Sequence, residues 1–218
     1  MKGFNLLLCS TLTSLLLISG CTTKTTSADR YSGFLGSYEG LTKTTTPSGN
    51  SVMRWVDPDF KVSNYDNLIY YPVGFLPQPT PSERVSQQTL QGVLDYTNAR
   101  ISSSMGQRLR LVGKPAARTL AFRGAITAVG ASTQGLKPYE AIPFALVAAG
   151  AMTAAGQRDQ NTELYFEAEL IDTATDKPVL RVARKGFGKT LENDKQAITV
   201  SDLKSVIDDM TQDVLRFP

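Results

Sequence analysis

Histidine is absent from this 218-residue chain, and cysteine occurs only at Cys9 and Cys21. Without His there is no Ser-His-Asp triad, no Cys-His dyad and no His-containing metal site. Both cysteines fall in the first tenth of the chain. The body therefore carries neither a disulfide nor a thiolate nucleophile, and core packing alone must hold it. Long hydrophobic runs are missing too. Leu6 to Ile18 is a mostly apolar stretch of 13 residues rich in Leu, short of the roughly 20 that cross a bilayer as a helix. Charge of one sign is also lacking, with 23 Lys+Arg against 20 Asp+Glu. What is present is 41% hydrophobic residues, enough for one globular domain with a real core.

The amino terminus carries the most specific signal. A basic Lys2, the apolar stretch and then Leu17-Ile18-Ser19-Gly20-Cys21 have the layout of an export signal. The last five residues resemble the bacterial lipobox. Small Ser19 and Gly20 admit the peptidase to the backbone between Gly20 and Cys21. Cys21 then offers a thiol for a diacylglyceryl thioether and a free amine for a further acyl chain. Stable anchoring takes more than one chain, at roughly 0.8 kcal/mol per buried methylene, and three suffice. Residues 1–20 are thus expected to be a lipoprotein signal peptide and residues 21–30 a lipidated flexible tether, polar and without periodicity. Residues 31–218 form the domain. Thr22 rather than Asp after the acylated residue points to the outer membrane, facing the periplasm.

Within the domain, Leu68 to Phe75 reads as a strand with Pro72 at an edge or bulge, and Thr42 to Ser51 as a loop. Thr80-Pro81-Ser82-Glu83 reads as a helix start, followed by an apolar stripe from Leu90 to Met105 and a stop at Gly106. Leu109 and Leu111 mark a short strand. Leu120, Phe122, Ile126 and Ala128 line a longer one, in which Gly124 suggests a bulge or a close neighbour. Leu164 to Leu170, a turn at Asp172–Lys177 and the return Pro178 to Phe187 read as a hairpin. Ser201 is expected to cap a final amphipathic helix with Leu203, Val206, Ile207, Met210 and Val214 on one stripe. This order gives an α+β fold, a mainly antiparallel sheet with helices packed on one face in a single compact domain.

Tyr31-Ser32-Gly33-Phe34-Leu35, with Tyr38 and Leu41, resembles the opening of the bacterial lipoprotein family called domain of unknown function 3313 (DUF3313). The similarity continues through Trp55, Asp57-Pro58, Tyr65, Ile69 to Pro72, Ala125-Ile126-Thr127, Pro143, Glu169 and Asp172-Thr173. Gly113 to Ala116 departs from the family's Pro-Gly turn. The resemblance implies an envelope lipoprotein and brings no reaction, ligand or catalytic residue.

Several patterns touch on chemistry. Ala183 to Thr190 falls one glycine short of a phosphate loop and ends a hairpin instead of opening a crossover helix; no nucleotide or nucleic acid is expected. Ser201-x-x-Lys204 lacks its companion elements and reads as a cap. Glu167 and Glu169 share a strand face, where paired carboxylates act on glycans; Arg181 and Arg184 on the partner strand favour ion pairs on a solvated face. Small residues in Ala141 to Gly156, Ala149 among them, read as packing against the sheet or as contact with an envelope partner or a second copy. Tyr31, Phe34 and Tyr38 read either as a recognition strip or as a segment folded back on the domain. The expected function is a binding or scaffolding module, anchored to the bilayer through Cys21, without catalysis, cofactor or metal. The rival is a carboxylate-dependent cell-wall or lipid hydrolase.

Overall fold

The computed structural model describes residues 25–133 and 160–216. Gly20, Cys21 and the Ala141 to Gly156 run with Ala149 lie outside the described residues. Among the described residues eight strands form one sheet: β1 (Thr42–Thr45), β2 (Ser51–Val56), β3 (Asn67–Tyr70), β4 (Gly74–Phe75), β5 (Arg110–Leu111), β6 (Thr119–Thr133), β7 (Gln160–Asp172) and β8 (Lys177–Leu191). Their order is β1-β2-β8-β7-β6-β3-β5, with β4 also beside β6. The four pairs from β1 to β6 are antiparallel, whereas β3, β4 and β5 join in parallel. Among the described residues two α-helices, α1 (Gln87–Gly106) and α2 (Val200–Leu215), pack side by side against one face. The α+β fold expected from the pattern of elements is therefore the one observed.

The core follows from the two periodicities. Leu164, Phe166 and Ala168 point from β7 to the helices, as do Leu120, Phe122 and Ile126 from β6. They meet Leu90, Val93 and Ile101 of α1 and Leu203, Val206 and Ile207 of α2. Gly124 supplies a close approach: a Cβ there would lie 2.9 Å from Phe122 Cζ and 3.0 Å from Phe166 Cζ. The register break sits three residues on, between Ile126 and Ala128.

Four local expectations are corrected. Helix α1 starts six residues after Thr80, at the Ser86 cap, whose hydroxyl accepts from Thr89 N–H at 3.0 Å. Val85, just before that cap, and Leu90 both enter the core, in the positions of a hydrophobic staple. Burying Val85 decides against the earlier start, because Ser82–Val85 closes as a turn instead. Helix α2 is capped by Thr199, not Ser201. The Asp202 carboxylate reaches back to Thr199 N–H at 2.9 Å, so Ser201 lies inside the helix and is exposed. Thr42 to Ser51 is not all loop: β1 pairs with β2 through a turn at Thr46–Asn50, where Gly49 takes φ +84°. Finally, the part of the run read as tether that is described is not featureless: Thr26 is buried and Ala28–Arg30 form a single 3-10 turn, while Ser27, Ala28 and Asp29 stay exposed.

Candidate functional site

Alternation on β7 places Glu163, Tyr165, Glu167 and Glu169 on the sheet face away from the helices. That face is not solvated. The chain from Thr25 to Leu41 runs over it as a strap, and Glu167 is fully buried. Its carboxylate accepts from Ser32 N–H at 2.9 Å, from Ser32 Oγ at 2.9 Å and from Tyr38 OH at 2.6 Å. The Tyr38 oxygen in turn accepts from Gly33 N–H at 2.7 Å. Burial, then the bond to Glu167, raises the Tyr38 phenol above its ordinary value.

The same strap delivers the aromatic residues. Tyr31 and Tyr38 stack with ring centroids 4.3 Å apart. Phe34 lies beneath Arg123, 5.8 Å from guanidinium carbon to ring centroid, and Leu35 is 2% exposed. Tyr31, Phe34 and Tyr38 are thus brought together, folded back on the domain. Gly40 (φ +75°) lets the strap pass Trp55, since a Cβ there would stand 2.7 Å from Trp55 Cδ1.

Each remaining carboxylate on this face has a cationic partner. Glu169 lies opposite Arg181 in the register and 3.3 Å from Arg123. Burial raises the Glu169 carboxyl, against the opposing pull of Arg123 and Arg181. Arg181 stacks over Trp55 at 4.4 Å and donates to the carbonyls of Ser37 and Glu39. Glu163 meets Lys185 at 2.8 Å. Arg184 is a correction: it points to the helix side, where its Nη1 meets Asp213 at 3.1 Å, both nearly buried. Asp213 also accepts from Ser48 N–H and Ser48 Oγ, each at 3.0 Å, latching the β1–β2 turn to the end of α2. Sequence reasoning missed both latches, because their partners stand 135 and 165 positions apart.

Between helices and sheet lies an apolar cavity of about 140 Å³, walled by Leu68, Ile101, Met105, Leu120 and Phe166. Arg54, Arg108, Glu169, Arg184 and Asp213 are its charged lining. Among the described residues no cluster of three or more Cys, Asp or Glu is placed to hold a metal, and no helix is long and apolar enough to cross a membrane. Ala183–Thr190 is β8 itself, with no crossover helix after it.

Fold and site together define a small α+β domain that uses its own N-terminal segment as one layer. The chain belongs to the family described as protein of unknown function (DUF3313), whose profile matches residues 30–214. It is 47% identical over 206 residues to a protein of Escherichia coli K12 called uncharacterized lipoprotein YdcL, covering 94% of this chain and 93% of that one. Among solved structures it is similar to the PelC dodecamer from Paraburkholderia phytofirmans, at 12% identity and a TM-score of 0.37 over 75% of this chain and 97% of that one. A neuraminyllactose-binding hemagglutinin homologue from Helicobacter pylori gives 9% and 0.32, covering 72% of this chain and 80% of that one.

Proposed function

We propose that the protein is an outer-membrane lipoprotein, acylated at Cys21, whose periplasm-facing domain acts as a binding or scaffolding module. The observation that carries this reading is the use of Glu167. The carboxylate that a hydrolase would need free is covered by Ser32 and Tyr38 and committed to three hydrogen bonds. A glycosidase acid or base must reach a bond in solvent, and Glu169 is likewise under cover, at 4% exposure. The strap also begins a few residues after the acylation site. An acylated Cys21 therefore holds the body within roughly 15 Å of the lipid surface, at about 3.3 Å per extended residue.

Two measurements test the reading. Acyl labelling with fractionation should place the mature chain in the outer membrane. Incubated with peptidoglycan sacculi, the protein should release no soluble muropeptide; release that is lost in Glu169→Gln would replace this proposal with the hydrolase.

A further inference from the structure

The strap and the body of the domain are held in different ways. No residue of Thr25 to Leu41 belongs to the apolar core between the sheet and the two helices. Leu35 is the strap's one buried apolar side chain, and it lies outside that core. Backbone pairing divides the two again. From Thr42 onward the chain enters the ladder of the sheet. The strap's own backbone-to-backbone bonds are internal, from Arg30 N–H to Ser27, Tyr31 N–H to Ala28 and Leu41 N–H to Tyr38. Its ties to the sheet run through side chains, chiefly Glu167 with three hydrogen bonds and Arg181 with two. A segment with few buried apolar contacts opens at a lower free energy than the core it covers.

Opening strands no charge. Glu163, Glu167 and Glu169 share the covered face with Arg123, Arg181 and Lys185, so an uncovered face is balanced in sign and regains water. Burial, not exposure, is what costs an ionised side chain. The closed interface is also imperfectly paired. Thr26 Oγ1 and Arg181 Nε are buried without a hydrogen-bond partner among the described residues, and water satisfies both once the strap lifts.

Position decides what pulls on the strap. It follows Cys21 within a few residues, so a load between bilayer and body reaches it first. Peeling then breaks its bonds one after another and stops at Thr42. There β1 is paired with β2, and the β1–β2 turn is latched to Asp213.

We infer that the strap is a releasable length of tether: load on acylated Cys21 lifts Thr25 to Leu41 off β7 while the sheet and helices stay folded. At about 3.3 Å per extended residue the freed chain adds roughly 55 Å of reach. Release carries the body clear of the headgroups and bares the face around Glu167. The inference rests on the acylation of Cys21 proposed above.

Optical tweezers test it on the chain from Cys21 to Pro218, in which Cys21 is the single thiol. One DNA handle takes the place of the acyl chains at Cys21, and the other is joined through Thr175→Cys in the exposed β7–β8 turn. A reversible first step of at most roughly 55 Å is expected, at a lower force than unfolding of the body. Ser32→Ala combined with Tyr38→Phe should raise its opening rate at a given force by at least about tenfold, through lost bonds to a charged acceptor, and leave the later steps unchanged. Asp213→Ala should weaken the later steps and leave the first alone. A single step that takes strap and body together, or a first step indifferent to Ser32 and Tyr38, overturns the inference. Acyl labelling of the native chain separates the two readings. A single step in a chain that is acylated loses the release alone; a chain that takes no label loses the anchor, and with it both.

Discussion

Removing a single oxygen from Tyr38 tests the strap directly. Tyr38→Phe keeps the ring that stacks on Tyr31 and deletes two hydrogen bonds, one to Glu167 at 2.6 Å and one from Gly33 N–H at 2.7 Å. A bond to a charged acceptor contributes about 1.5–3 kcal/mol and a neutral one about 1. Glu167 is fully buried and cannot recruit water in compensation, so the two together give a loss of roughly 2–4 kcal/mol. For a domain of this size each kcal/mol lowers Tm by about 2–4 °C, and a fall of roughly 4–16 °C is expected. Thermal and urea unfolding measure the loss. Hydrogen exchange should show Ser32 to Leu41 losing protection ahead of β6 and β7. A change below about 0.5 kcal/mol, the level of an ordinary surface substitution, with strap exchange as in the parent, would refute the role given to Glu167.

Cys21→Ser should yield an uncleaved precursor that takes up no labelled palmitate, read by gel shift and autoradiography. Asp213→Ala removes the partner of Arg184 and both bonds from Ser48; urea unfolding should show a loss of about 3–5 kcal/mol, as when a buried pair is broken from one side. Gly188→Ala drives a Cβ into the carbonyl oxygen of Asp202, where backbone must yield, and calorimetry should register at least the roughly 1–3 kcal/mol of overpacking. Burial, with Asp172 adding to it at Tyr65, pushes Tyr65 and Tyr70 each up to about 12. Below pH ~10 the tyrosines stay protonated in both folded and unfolded chains, so these two contribute no pH dependence there. Between about 10 and 12 the unfolded phenols ionise while the folded ones do not, and stability should fall; a flat urea midpoint across that window would contradict it.

The elements with one clear period were readable in the chain. Leu203, Val206, Ile207 and Met210 fall on one side of a helix whatever surrounds them, and Leu120, Phe122 and Ile126 alternate as a strand must. The Asp172–Lys177 turn was legible from its composition. What escaped reading was decided at long range. Thr42–Thr45 has no apolar face and becomes a strand because β2 offers it an edge. Thr199 and Ser201 are equally good caps by composition, and Asp202, three residues after Thr199, settles the choice. Glu167 and Glu169 carry no mark of burial, since a carboxylate on a strand ordinarily faces water. Only Ser32 and Tyr38, far away in the chain, convert that face into an interior.

The span of those latches also constrains how the molecule is made. Ser32 waits for Glu167, and Ser48 for Asp213, so the earliest-synthesised stretch finds no lasting partner until the ribosome has nearly finished. Topologies closed this way fold slowly. The layer that covers the carboxylate row is thus the first to be made and among the last to be secured.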